Sequence, residues 1–132
     1  MEKMTVMLVD DEERFLVTTS KLLTRKGYEV VTAPSGAEAL RHLRERTVHV
    51  VVLDVKMPGM DGIATLKEIK TRSPHVEVIL LTGHATVESA VEGLNAGASD
   101  YLVKPCNLDE LIRKVNDALE KQPHLKGGSK PL

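Results

Sequence analysis

The chain has 132 residues, 18 basic and 19 acidic, for a formal net charge of −1, which suffices for one ordinary domain and gives no electrostatic case for non-specific nucleic-acid binding. Phe15, Tyr28 and Tyr101 are its only aromatics, which argues against a stacking platform for single strands, and Cys106 is its only cysteine, which excludes an internal disulfide. No apolar run approaches the ~20 residues of a membrane span, and Met1-Glu2-Lys3-Met4 lacks a signal-peptide pattern, so a cytoplasmic protein is expected.

Thr5 to Val9 is a short apolar run, predicted as a strand, that stops at Asp10-Asp11-Glu12-Glu13. Helical spacing follows, with Phe15, Thr19, Leu22 and Leu23 on one face and Gly27 placed to end the helix. Tyr28 to Ala33 predicts a second strand. Ser35-Gly36-Ala37-Glu38 matches a capping box and opens a helix burying Ala39, Leu40 and Leu43. Val48 to Asp54 predicts the third strand: apolar, mostly β-branched residues that end abruptly in a carboxylate. A turn rich in Pro and Gly runs from Met57 to Gly62. Asp61 can cap the next helix, whose Ile63, Leu66 and Ile69 point inward and which Ser73-Pro74 stops.

Glu77 to Thr82 predicts a fourth strand, followed by Gly83-His84-Ala85. Thr86 can cap a helix with Val87, Ala90, Val91 and Leu94 at core spacing, ended by Asn95-Ala96-Gly97. Ser99 to Val103 is a short fifth strand closed by Lys104-Pro105. Asn107 with Glu110 forms another cap, opening a helix with Leu108, Leu111, Ile112, Val115 and Leu119 inward. Part of the face between these last two helices could equally serve a partner or a second copy. Five strands alternating with five helices predict an α/β fold, a five-stranded parallel sheet with helices on both faces. Periodicity fades near Gln122, so residues 4–120 read as one domain and 121–132 as a flexible tail or linker.

In open parallel sheets, ligands bind outside the carboxyl ends of the strands. There the first strand presents Asp10 and Asp11, the third Asp54, the fourth Thr82 and the fifth Lys104. Each is ordinary alone: a strand-end Asp is commonly a turn residue, and Asp10-Asp11 could simply favour the positive end of a helix. Together they place three carboxylates, a hydroxyl and an ammonium at one edge. Cys106 is expected to be a quiet reduced thiol. His42, His49, His75 and His124 show no metal spacing and are expected at the surface.

Four motifs in order, Val9-Asp10-Asp11-Glu12, Leu53-Asp54 with Met57-Pro58-Gly59-Met60-Asp61-Gly62, Leu81-Thr82-Gly83-His84-Ala85 and Tyr101-Leu102-Val103-Lys104-Pro105, give the chain a close resemblance to the response regulator receiver domain of two-component systems. The resemblance covers roughly Met4 to Glu120. It implies a flavodoxin-like strand order 2-1-3-4-5. It implies that Asp54 is the phosphoryl acceptor and that Asp11, Asp54 and the backbone carbonyl of Lys56 hold Mg²⁺, with Mn²⁺ as a substitute. Asp10 would act mainly through water in that shell, and Thr82 and Lys104 would bind the phosphoryl oxygens. Tyr101 matches the aromatic that turns inward on activation, and Lys56 and His84 match positions that tune the phosphoryl lifetime. The implied donor is a phosphohistidine on a sensor histidine kinase or histidine phosphotransfer protein, as in a phosphorelay. The implied output is a changed surface on helix 4, strand 5 and helix 5, open to homodimer formation on phosphorylation.

The chemistry agrees with these roles. A hard cation prefers carboxylate, carbonyl and water oxygens. Lys104 adds positive charge opposite it, and phosphoryl transfer rests mostly on positioning and electrostatics. On this reading the chain is no enzyme beyond its own phosphorylation and dephosphorylation. A phosphatase with Asp54 as transient nucleophile would carry a second Asp two residues on, where Lys56 stands. A pseudo-receiver that only binds would be expected to lack one of the five site residues. The Thr82-Gly83-His84-Ala85 segment is similar to that of enhancer-activating regulators and of hybrid kinases, so the chain is either a stand-alone regulator or a piece of a longer one. No direct nucleic-acid binding by this segment and no membrane contact are expected.

Overall fold

The structure is a computed structural model that describes residues 3–57, 60–83 and 87–121. The elements are β1 Thr5–Val9, α1 Glu13–Arg25, β2 Glu29–Ala33, α2 Gly36–Glu45, β3 Val50–Asp54, α3 Gly62–Arg72, β4 Glu77–Thr82, α4 Val87–Asn95, β5 Asp100–Val103 and α5 Leu108–Leu119. Within the five-stranded sheet every pairing is parallel, in the order β2-β1-β3-β4-β5. The alternation and strand order expected from the sequence are therefore present. Pro58-Gly59, the His84 position, the Thr86 cap, His124 and the tail from Gln122 onward lie outside the described residues.

β1, β3 and β4 form the interior of the sheet and are apolar on both faces, as two-sided burial requires. Side chains alternate along each strand. Val6, Leu8, Val50, Val52, Ile79 and Leu81 pack with Leu16 and Leu23 of α1 and Leu111 and Val115 of α5. Met7, Val9, Val51, Leu53, Val78 and Leu80 pack with Ala39 of α2 and Ile63, Leu66 and Ile69 of α3. A one-residue register slip would exchange these two sets.

The caps form largely as the sequence implies. Ser35 Oγ accepts from the Glu38 N–H at 3.2 Å, while the Glu38 carboxylate turns to Arg41 at 2.8 Å, so only half of the reciprocal box is made. Asp61 Oδ1 accepts from the Ile63 N–H at 3.0 Å. Asn107 Oδ1 accepts from the N–H groups of Asp109 and Glu110 at 2.7 and 3.3 Å. The turn after Asp54 contains a short antiparallel ladder between Lys56–Met57 and Met60–Asp61 that periodicity did not predict.

Three expectations are corrected. On α1 the buried residues are Leu16, Thr19 and Leu23, with Leu22 only half-buried. On α4, Val91 and Leu94 are 48% and 44% exposed rather than core. Gly93 takes the inward place, where a Cβ would collide with the Leu80 side chain, so the helix sits close to the sheet through a residue that carries no apolar signal. His49 is not a surface histidine: it is 8% exposed, and its Nδ1 accepts from the Thr5 N–H at 3.0 Å. The Thr5 carbonyl in turn accepts from the His49 N–H at 2.9 Å, so the imidazole completes the start of the β1–β3 ladder.

Candidate functional site

The parallel register carries the chemistry to one edge. Val9 lies opposite Leu53 and Asp54 opposite Leu81, so Asp10, Asp54 and Thr82 emerge side by side. β5 joins them because Thr82 pairs with Val103 and the Thr82 carbonyl accepts from the Lys104 N–H at 2.8 Å. Asp10 is 0% and Asp54 4% exposed, Thr82 is buried, and Asp11 faces solvent.

Each buried carboxylate also shapes its own turn. Asp10 Oδ1 accepts from the Glu12 N–H at 2.9 Å, holding the entry to α1. Asp54 Oδ1 accepts from the Lys56 N–H at 3.1 Å, folding the chain back over the strand end. Gly62 makes that return possible. A Cβ there would sit 2.6 Å from Val55 Cα and from the Val55 carbonyl oxygen, so any side chain would push α3 off the loop behind Asp54.

Lys104 supplies the positive charge. Its Nζ lies 2.6 Å from Asp10 Oδ2, 3.6 Å from Glu12 Oε1 and 3.7 Å from Asp54 Oδ2. The ammonium therefore rests on Asp10, not midway between the carboxylates. Asp10 Oδ2 is enclosed and makes no well-directed hydrogen bond, so this ion pair is its compensation. Burial alone would lower the Lys104 pKa, but Asp10, Asp54 and Glu12 together hold it above the ordinary lysine value. Burial pushes the Asp54 carboxyl up to about 6, with Asp10 adding to the rise and the Lys56 N–H and Lys104 opposing it. Cys106 is a half-buried thiol whose pKa is raised by burial, in line with a quiet role.

Asp10, Asp11 and Asp54 each offer a carboxylate oxygen, and these oxygens lie within 4.8 Å of one another. An all-oxygen, multiply anionic set open to water through Asp11 fits a hard divalent cation and not a thiophilic one. Asp10 lies close enough to Asp54 to help raise its pKa, and the Lys104 ammonium rests on Asp10, 3.7 Å from Asp54, so a cation at the carboxylates would offset a repulsion that Lys104 offsets only in part.

The structure thus brings together Asp10, Asp11, Asp54, Thr82 and Lys104. Lys56 is exposed beside Asp54, and Tyr101 is half-buried, opposite Leu80 and packed on the α3-side core. The sequence reading gave no site role to Glu12 or to Phe15, whose ring centroid is 5.1 Å from Lys104 Nζ. Their signal was positional: Glu12 stands at the N-cap of α1 directly after the acidic pair, and Phe15 lies in the first turn of that helix.

A family model described as the response regulator receiver domain matches residues 6–116. The transcriptional regulatory protein ZraR of Escherichia coli O157:H7 is 43% identical over 118 residues, 89% of this chain and 27% of the relative. The DNA-binding transcriptional regulator NtrC of Escherichia coli K12 is 39% identical over 119 residues, 90% of this chain and 25% of the relative. The chain thus spans about a quarter of the length of these curated relatives. The crystal structure of a response regulator receiver domain protein from Methanospirillum hungatei JF-1 superposes with a TM-score of 0.88 at 32% identity, covering 93% of this chain and 98% of that one.

Proposed function

The chain belongs to the response regulator receiver family, and on that premise we propose that Asp54 accepts a phosphoryl group from a partner phosphohistidine and thereby works a two-component switch. One observation carries the proposal. Three carboxylates converge within 4.8 Å at the sheet's carboxyl edge, with the Lys104 ammonium 3.7 Å from Asp54.

Asp54 Oδ2 forms the new P–O bond as the bond from phosphorus to the donor nitrogen breaks, and the electron pair leaves with the imidazole. The Lys56 N–H holds Oδ1, which fixes the carboxylate's orientation. Lys104 and the Thr82 hydroxyl meet the phosphoryl oxygens from the far side. Asp11 and Asp54, with the Lys56 carbonyl, would hold Mg²⁺, and Asp10 would act on it through water. When bound, the cation neutralises charge between the incoming phosphoryl group and the carboxylates and favours the ionised form of Asp54. Water attack returns the Asp54 carboxylate, inorganic phosphate and a proton, and the side chains at positions 56 and 84 set how readily water arrives. Equal dephosphorylation rates in wild type, Lys56→Ala and His84→Ala would contradict that timing role.

The switch would run through Thr82. Movement of Thr82 toward a phosphoryl group frees space for Tyr101 and shifts α4, whose Val91 and Leu94 are exposed, as is Val103 of β5. Exposed apolar side chains of this kind suit a second copy or the effector. Sedimentation with and without beryllium fluoride tests the first case, an unchanged monomer ruling it out.

Incubation with acetyl phosphate and Mg²⁺ followed by intact-mass measurement tests the chemistry. The expected result is one added phosphoryl group in wild type and none in Asp54→Asn. Equal uptake by the variant would refute the assignment.

A further inference from the structure

Lys104 is bordered on one side by a surface that is neither carboxylate nor water. Its Nζ stands 5.1 Å from the centroid of the Phe15 ring, within the range of a cation–π attraction. Phe15 and Lys104 line a cleft of about 390 Å³ between the start of α1 and the loop after β5, together with Cys106 and Leu108. The ring is half-buried and also packs against the core that α1 and α5 share.

The ammonium faces a problem of competing anchors. Asp10 holds it at 2.6 Å and Glu12 waits at 3.6 Å, whereas Asp54, where the phosphoryl group would arrive, is at 3.7 Å. A carboxylate or amide at position 15 would add another directed anchor and pin the cation away from Asp54. A small residue there would admit water and let the side chain swing out into the cleft. An aromatic face attracts the charge without accepting a strongly directed hydrogen bond. It can therefore hold the ammonium against the pocket wall while leaving its N–H groups to turn from Asp10 to a phosphoryl oxygen.

Resting on the proposed function, we propose that Phe15 is a positioning residue for phosphoryl capture, keeping Lys104 at the pocket through its ring face. Phe15 touches no reacting atom and acts only through Lys104.

The chain offers a clean test because Phe15 is its only phenylalanine. Replacing phenylalanine throughout the protein by 4-fluoro, 3,5-difluoro and 3,4,5-trifluoro analogues alters residue 15 alone. Fluorine drains the ring face while changing its bulk little, so the attraction for a cation weakens in steps. At saturating Mg²⁺ the rate of phosphorylation by acetyl phosphate should fall progressively, by about three- to tenfold at the trifluoro form, with the unfolding midpoint unmoved. Phe15→Leu should fall as far, and Phe15→Trp should restore the rate. The Lys104 ε-methylene protons should be ring-shifted upfield in wild type and not in Phe15→Leu, a readout independent of phosphorylation. A wild type that takes up phosphoryl groups at a rate indifferent to fluorination, or to Phe15→Leu, would overturn the role of Phe15 alone. A wild type that takes up none would overturn the function on which it rests.

Discussion

Asp54 ends a strand buried on both faces, and its environment decides its chemistry more than its identity does. A carboxyl raised to about 6 by burial binds its proton more tightly in the folded than in the unfolded chain. Its contribution to stability is therefore full below the unfolded value of ~4 and is lost as pH rises from ~4 through 6. In metal-free buffer, Asp54→Asn should remove that loss and be more stable than wild type at pH 7 by on the order of 2 kcal/mol, the gap closing toward pH 4. Urea denaturation at both pH values checks this, and a variant less stable at pH 7 would reverse the sign. His49 is the opposite kind of residue, structural and remote from the site. His49→Ala strands the buried Thr5 N–H, so a loss of about 1–3 kcal/mol in urea unfolding is expected, with phosphorylation kinetics unchanged. No loss of stability would mean that the imidazole is dispensable to the ladder.

Among the elements, the start of α3 leaves no room for change at Gly62. At Gly62 the obstacle to a Cβ is the backbone of Val55, which cannot rotate out of the way. Gly62→Ala should cost about 2 kcal/mol or more and slow phosphorylation, because the loop that orients Asp54 through the Lys56 N–H must move. Wild-type stability with wild-type rate would show that the loop has slack. The same region shows where a sequence speaks and where it is silent. β3 was legible because a run of Val and Leu buried on two faces has few other readings. The α4 stripe was misleading: helical spacing shows which residues share a face, not which face is pressed inward, and the deciding residue, Gly93, acts by lacking a side chain. His49 was illegible because its partner lies 44 residues away and meets it only through strand pairing.

For the molecule as a whole, the fold concentrates negative charge at one edge of a sheet and places the Lys104 ammonium against it. The clustering of the five candidate site residues was legible because each stands at a strand end and the topology collects strand ends. Their pairing was not, since the preference of Lys104 for Asp10 over Asp54 depends on side-chain placement. Ionised carboxylates held together in the folded chain repel one another, so a cation bound only by the folded form should stabilise it. A Mg²⁺ concentration 100 times its Kd should add about 3 kcal/mol in wild type and far less in Asp11→Ala. An unfolding midpoint indifferent to Mg²⁺ would remove the metal from the account.

The central claim is that the phosphoryl group is held by Asp54. An acyl phosphate, unlike a free carboxylate, is reduced by borohydride, which converts the aspartate carrying it to homoserine. Peptide sequencing by mass spectrometry after acetyl phosphate, Mg²⁺ and borohydride should find homoserine at position 54 and aspartate at positions 10 and 11. Homoserine at either of those positions, or an unmodified Asp54 in protein that has gained the phosphoryl mass, would contradict it.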